Sequence, residues 1–115
     1  MILCSPDHSE HISAYKTWKE NGGDIAIISP LLPKKHQDYL IEKFNQAEKN
    51  NNIFMHTSGT TGMPKLIKFT HADFERIRKK SDKAIGWNEN TRFLNLLPAF
   101  TSGFWHIVIP SAVEH

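Results

Sequence analysis

Four consecutive apolar residues, Ile25-Ala26-Ile27-Ile28, constrain this chain more than any other feature. The run is short and β-branched, and it is too continuous for a strand with one wet face. It reads as a strand covered on both sides, the mark of a parallel sheet. Around it, short apolar runs alternate with amphipathic segments. Ile2-Leu3-Cys4 is a strand stub, and Asp7 with Glu10 three residues on has the form of a capping box. Ile12, Tyr15 and Trp18 share a helical face that Gly22-Gly23 ends. Pro33 suits a first helical turn, and Leu40, Ile41, Phe44 and Ala47 mark a second helical face. Asn50-Asn51-Asn52 reads as a loop, Ile53-Phe54-Met55 as a third strand and Leu66-Ile67-Lys68-Phe69 as a fourth. Thr70 with Asp73 forms a second capping-box signal ahead of Phe74, Ile77, Ala84 and Ile85, and Gly86 stops that helix. Phe93 to Leu97 is strand-like. Phe104 to Ile109 is a buried run of either type, closed by Pro110, and no element is legible in Ala112-Val113-Glu114-His115.

This order predicts an α/β chain: a partial layered sheet, mostly parallel, with helices on its faces. Three helices barely cover such a sheet, so the chain reads as a piece of something larger. Its 115 residues leave room for one domain, and 39% hydrophobic residues allow a modest core. A net charge of +2 gives no argument for nucleic acid or an anionic membrane. No apolar run approaches the ~20 residues of a membrane span, and Met1 to Asp7 lacks the build of a signal peptide. A lone cysteine, Cys4, excludes an internal disulfide. A cytoplasmic location is the expectation.

The chemistry lies in residues 57–65, Thr-Ser-Gly-Thr-Thr-Gly-Met-Pro-Lys. Gly59 and Gly62 permit positive φ and close backbone approach to a ligand. Thr57, Ser58, Thr60 and Thr61 supply hydroxyl donors, and successive amides in such a turn form an anion-binding hollow. Lys65 adds a mobile cation and Pro64 stiffens the approach to it. No carboxylate lies in the stretch. The sum is a polyphosphate cradle, set against the plainer reading of a solvated turn. It is not a Walker A loop, because the two glycines are too close, a proline precedes the lysine, and a strand follows. Nor does Gly-x-Gly-x-x-Gly occur.

The run Thr57 to Lys65, at every position but Met63, resembles the phosphate loop of the adenylate-forming enzymes. These include acyl- and aryl-CoA ligases, luciferases and the adenylation domains of peptide synthetases. Thr70-His71 is similar to the pair that opens the family's next helix, and Leu97-Pro98-Ala99-Phe100-Thr101-Ser102-Gly103 resembles its next motif. Thr101 stands where the family has His, and Leu66 where it has Gly. The resemblance implies that residues 1–115 are a partial N-terminal AMP-binding domain without the mobile C-terminal domain. It implies ATP and Mg²⁺, a carboxylic acid substrate, and CoA as the thiol that takes the acyl group. Thr57, Ser58, Gly59, Thr60, Thr61, Gly62 and Lys65 would hold the β- and γ-phosphates. The family's Thr-Glu pair, ribose-binding Asp and catalytic Lys match nothing here, so no catalytic residue is assigned and the chain is expected to be inactive alone. The missing remainder of such an enzyme is then an expected partner. The alternative is a non-catalytic module that binds a nucleotide, a phosphate or a partner.

Other residues take plainer readings. His8 and His11, one turn apart, read as exposed rather than as metal ligands, which must converge in threes or fours. His56 is either a phosphate neighbour or a packed strand residue, and His71 reads as structural. Arg76, Arg78, Lys79, Lys80 and Lys83 make a solvated basic face without the aromatics of a nucleic-acid binder. Trp18, Trp87 and Trp105 read as core or rim anchors, and Cys4 as an inert thiol in a buried strand.

Overall fold

In the computed structural model, which describes residues 1–58 and 62–114, three short strands run parallel in chain order. They are β1 (Ile2–Leu3), β2 (Ile25–Ile27) and β3 (Ile53–His56); β4 (Leu66–Phe69) adds antiparallel to β3. Helix α1 (His8–Asn21) links β1 to β2 and α2 (Lys34–Gln46) links β2 to β3. The fold is α/β with a mostly parallel sheet, and the apolar run through β2 is buried throughout.

Side chains alternate across the sheet as the pleat dictates. Ile25, Ile27, Ile53 and Met55 share one core with Ala14, Tyr15 and Trp18 of α1 and Phe74 of α3 (His71–Ile85). Ala26 and Phe54 point the other way, onto Phe44 of α2. The strand order advances in one direction while α1 and α2 lie on opposite faces. The two crossovers therefore have opposite hands, and one departs from the right-handed rule for such connections. Trp18 and Trp105 are fully buried in the larger core, and each contributes on the order of 5 kcal/mol of transfer free energy.

The caps follow local chemistry. Asp7 accepts the Ser9 amide (2.9 Å) and the Ser9 hydroxyl (2.8 Å), while its own amide donates to Ser5 Oγ (3.1 Å) rather than to the Glu10 side chain. Thr70 and Asp73 form the reciprocal box at α3: the Asp73 amide donates to Thr70 Oγ1 and the Thr70 amide to Asp73 Oδ2. Gly86 ends that helix in the left-handed region. Between α1 and β2, Asp24 accepts three amides, those of Asn50, Asn51 and Asn52, at 3.1, 3.3 and 2.9 Å. Asn51 in turn accepts the Gly23 amide on its side chain and the Trp18 indole N–H on its carbonyl.

Four expectations need correction. Phe93 to Leu97 is not a strand; Asn95 bonds both the amide and the carbonyl of Leu97, folding the segment on itself, and no strand lies beside it among the described residues. The C-terminal part is helical: a π-helix (Phe104–Val108) runs into α4 (Ile109–Glu114). Pro110, which has no N–H to give to the preceding turn, sits inside α4 rather than ending the element. Cys4 is exposed, because β1 ends at Leu3; its sulfur lies 3.7 Å from Gln37 Oε1, and desolvation pushes the thiol up against the pull of Lys34. His11 is buried, not exposed.

Candidate functional site

Strands β3 and β4 pair in register from Ile53 opposite Phe69 to His56 opposite Leu66. Beyond them one more pair closes the hairpin. The Thr57 amide donates to the Lys65 carbonyl (3.0 Å), and the Lys65 amide donates to Thr57 Oγ1 (2.9 Å) rather than to the Thr57 carbonyl. The chemistry-bearing run is thus the connection of a hairpin anchored in the sheet, and Thr57 and Lys65 are its two feet. Pro64 is fully buried beside Lys65, while Ser58, Gly62 and the Lys65 side chain are exposed. Gly62 has φ +151°. Gly59, Thr60 and Thr61 lie outside the described residues.

The Thr57 carbonyl has another partner, His56 Nδ1, at 2.7 Å. The opposite ring nitrogen, Nε2, accepts the Ser29 amide at 2.9 Å. An amide can only donate, so Nε2 carries no proton and Nδ1 donates to Thr57. His56 is therefore a strut. It ties one foot of the hairpin to the turn after β2, and neither ring nitrogen is left to contact a phosphate. The sequence offered a histidine next to the run, but not the Ser29 amide that fixes its proton.

The remaining candidates have structural partners. His11 Nδ1 accepts the Trp105 indole N–H and Nε2 donates to the Ser5 carbonyl, both at 2.8 Å; burial lowers its pKa. His8 Nε2 lies 2.9 Å from the Leu97 carbonyl, and its ring meets Phe104 edge-on. His71 stacks on Trp18 with centroids 3.9 Å apart, and burial and then Lys19 lower its pKa. Among the described residues no group of three or more His, Cys, Asp or Glu could hold a metal. On α3, Arg76 pairs with Asp73, and Arg78 with both Glu75 and Asp82, so part of the basic face is neutralised in place. His106 was not singled out by the sequence: it is buried against Phe69 and Phe74, and desolvation pushes its pKa down to about 4. No helix is long and apolar enough to cross a membrane among the described residues.

The donor set at the hairpin suits an anion. Hydroxyls, amides and one lysine donate hydrogen bonds, and a metal would find no carboxylate there.

Comparison with known proteins points in one direction. The chain is 40% identical over 47 residues to a salicylyl-CoA synthase / salicylate adenylyltransferase of a Streptomyces species, covering 41% of this chain and 8% of that protein. It is 35% identical over 78 residues to the putative acyl-CoA ligase YdaB of Bacillus subtilis, covering 67% of this chain and 16% of the relative. It is 27% identical over 108 residues to a 2-succinylbenzoate–CoA ligase of Staphylococcus epidermidis, covering 82% and 23%. The chain thus spans less than a quarter of the length of these relatives. No family model matches it, and no solved structure does. What the chain carries is a low-identity likeness to acyl- and aryl-CoA ligases over part of its length.

Proposed function

We propose that this chain is part of the N-terminal AMP-binding domain of an ATP-dependent carboxylate-activating ligase. Its task is to hold the triphosphate of ATP while a carboxylate attacks the α-phosphate and pyrophosphate leaves. The carrying observation is the run 57–65 between two paired strands, with its feet bonded to each other. The likeness to three CoA ligases supports the same reading.

In this reading the chain's own residues bind and orient. The Thr57 hydroxyl, with the amides and hydroxyls of Ser58, Gly59, Thr60, Thr61 and Gly62, spreads the charge of the β- and γ-phosphates, as fixed donors do in phosphoryl chemistry. Lys65 supplies a point charge to the same oxygens. Mg²⁺, when bound with ATP, would neutralise phosphate charge; the loop has hydroxyls but no carboxylate to offer it. CoA is the proposed acceptor of the acyl group. The acyl-adenylate and thioester steps are proposed to need residues that this chain does not supply.

Calorimetry with ATP and Mg²⁺ tests the proposal. The wild-type chain is expected to bind, Lys65→Ala to bind more weakly, and Gly62→Asp, which puts a carboxylate in the cradle, to show no heat. ATP–pyrophosphate exchange with a carboxylic acid panel is expected to stay at background. Absence of nucleotide binding by the wild-type chain would overturn the reading, and robust exchange would overturn the restriction to binding.

A further inference from the structure

On the α2 side of the sheet, one cleft gathers cations without a counter-charge. Tyr39 and Lys43 stand one turn apart on α2, so they share a side of that helix. On β4, Leu66 and Lys68 alternate with Ile67 and Phe69, and Lys68 stands opposite Phe54 in register. Phe54 and Leu66 pack toward α2, so Lys68 lies on that face as well. The two lines border a cleft of about 400 Å³, closed at the hairpin end by Pro64 and Lys65. No acidic residue lines it. Lys43, Lys65 and Lys68 are exposed, and none enters an ion pair among the described residues. The Lys43 ammonium lies 5.4 Å from the centre of the Tyr39 ring.

We propose that this cleft binds a small phosphomonoester with an apolar or aromatic body. Three ammonium groups around one hollow match a dianion, and lysines act on phosphate as point charges. Phe54, Leu66 and the Tyr39 ring give the body an apolar wall. The volume is that of a small-molecule site, and a net charge of +2 gives no argument for a nucleic acid. The site is separate from the body of the triphosphate loop and shares only its last two residues, Pro64 and Lys65.

The test titrates the full ¹⁵N-labelled chain with phenyl phosphate and with inorganic phosphate. Saturable amide shifts are expected at Tyr39, Phe54 and Lys68, with phenyl phosphate the tighter ligand. Lys43→Gln/Lys68→Gln, both exposed and outside the loop, should weaken phenyl phosphate by about tenfold. Gly62→Ala strains the loop without adding charge and should leave the affinity within about twofold. Arginine at both positions should restore binding. Three results would overturn the proposal: no saturation at millimolar ligand, no response to the lysine variants, or shifts confined to the loop and lost in Gly62→Ala. ATP binding is read separately, so failure of the loop reading leaves this outcome legible.

Discussion

His56 joins two stretches of backbone through one imidazole, and each of its bonds replaces something the sheet would otherwise leave unmet. The Ser29 amide is buried just past the end of β2, and the Thr57 carbonyl has given up its ladder partner to the Thr57 hydroxyl. His56→Leu keeps the bulk and removes both bonds. The Ser29 N–H is then buried without an acceptor, which costs about 1–2 kcal/mol. Urea titration should show that loss, and hydrogen exchange should show the Ser29 amide opening faster than its neighbours in β2. Unchanged exchange at Ser29 would mean that the strut carries no strain of the hairpin. At this scale the sequence was legible in kind and blind in geometry. A histidine beside the loop was visible, but its proton position depends on an amide 27 positions away. His11 makes the converse case: its spacing from His8 suggested a wet face, and the Trp105 indole that buries it lies 94 positions away.

Asp24 does for the α1–β2–β3 corner what His56 does for the hairpin. Its carboxylate gathers the amides of Asn50, Asn51 and Asn52, and so holds the end of one crossover against the end of the next. Gly22 belongs to the same joint. Its φ is +76°, where a larger residue is strained, and a Cβ there would lie 2.8 Å from Asn51 Oδ1 and displace the side chain that accepts the Gly23 amide. Asp24→Ala strips three amides of a charged acceptor and should destabilise the chain by about 2–3 kcal/mol, with Asp24→Asn intermediate. The midpoint of urea unfolding measures both; equal midpoints for wild type and Asp24→Ala would refute the joint. Element identity was largely readable because the code for it is local. The capping pair Thr70 and Asp73, the glycine stops and the run Ile25–Ile28 all act within a few residues. Phe93 to Leu97 failed for the opposite reason. Alternating apolar residues make a strand only beside another strand, and here Leu94 and Leu96 stay about 80% exposed. For the candidate site, the run itself and its lysine were legible, whereas the cleft between α2 and β4 emerges only when two elements are brought face to face.

Across the whole molecule, buried histidines make acid the condition to which this fold is most sensitive. His106 is packed between the rings of Phe69 and Phe74, each centroid 4.4 Å away, with no hydrogen-bond partner for either ring nitrogen among the described residues. Desolvation holds its pKa near 4, and the opposing charge of Asp73 is the smaller effect. His11 is shifted the same way by burial. A folded-state pKa below the unfolded value means that the unfolded chain takes up protons first as pH falls. The stability is then fully present above about pH 6.5 and is lost progressively down to about pH 4. His106 alone should remove about 2 kcal/mol between pH 7.5 and pH 5, a large share for a single small domain. His106→Leu keeps an apolar side chain in the ring pocket and deletes the titration. Unfolding free energies of the variant should therefore depend less on pH across that window, with His11 supplying what slope remains. Parallel pH profiles for wild type and His106→Leu would show that His106 meets solvent before the fold opens, and that the aromatic pocket does not keep its proton out.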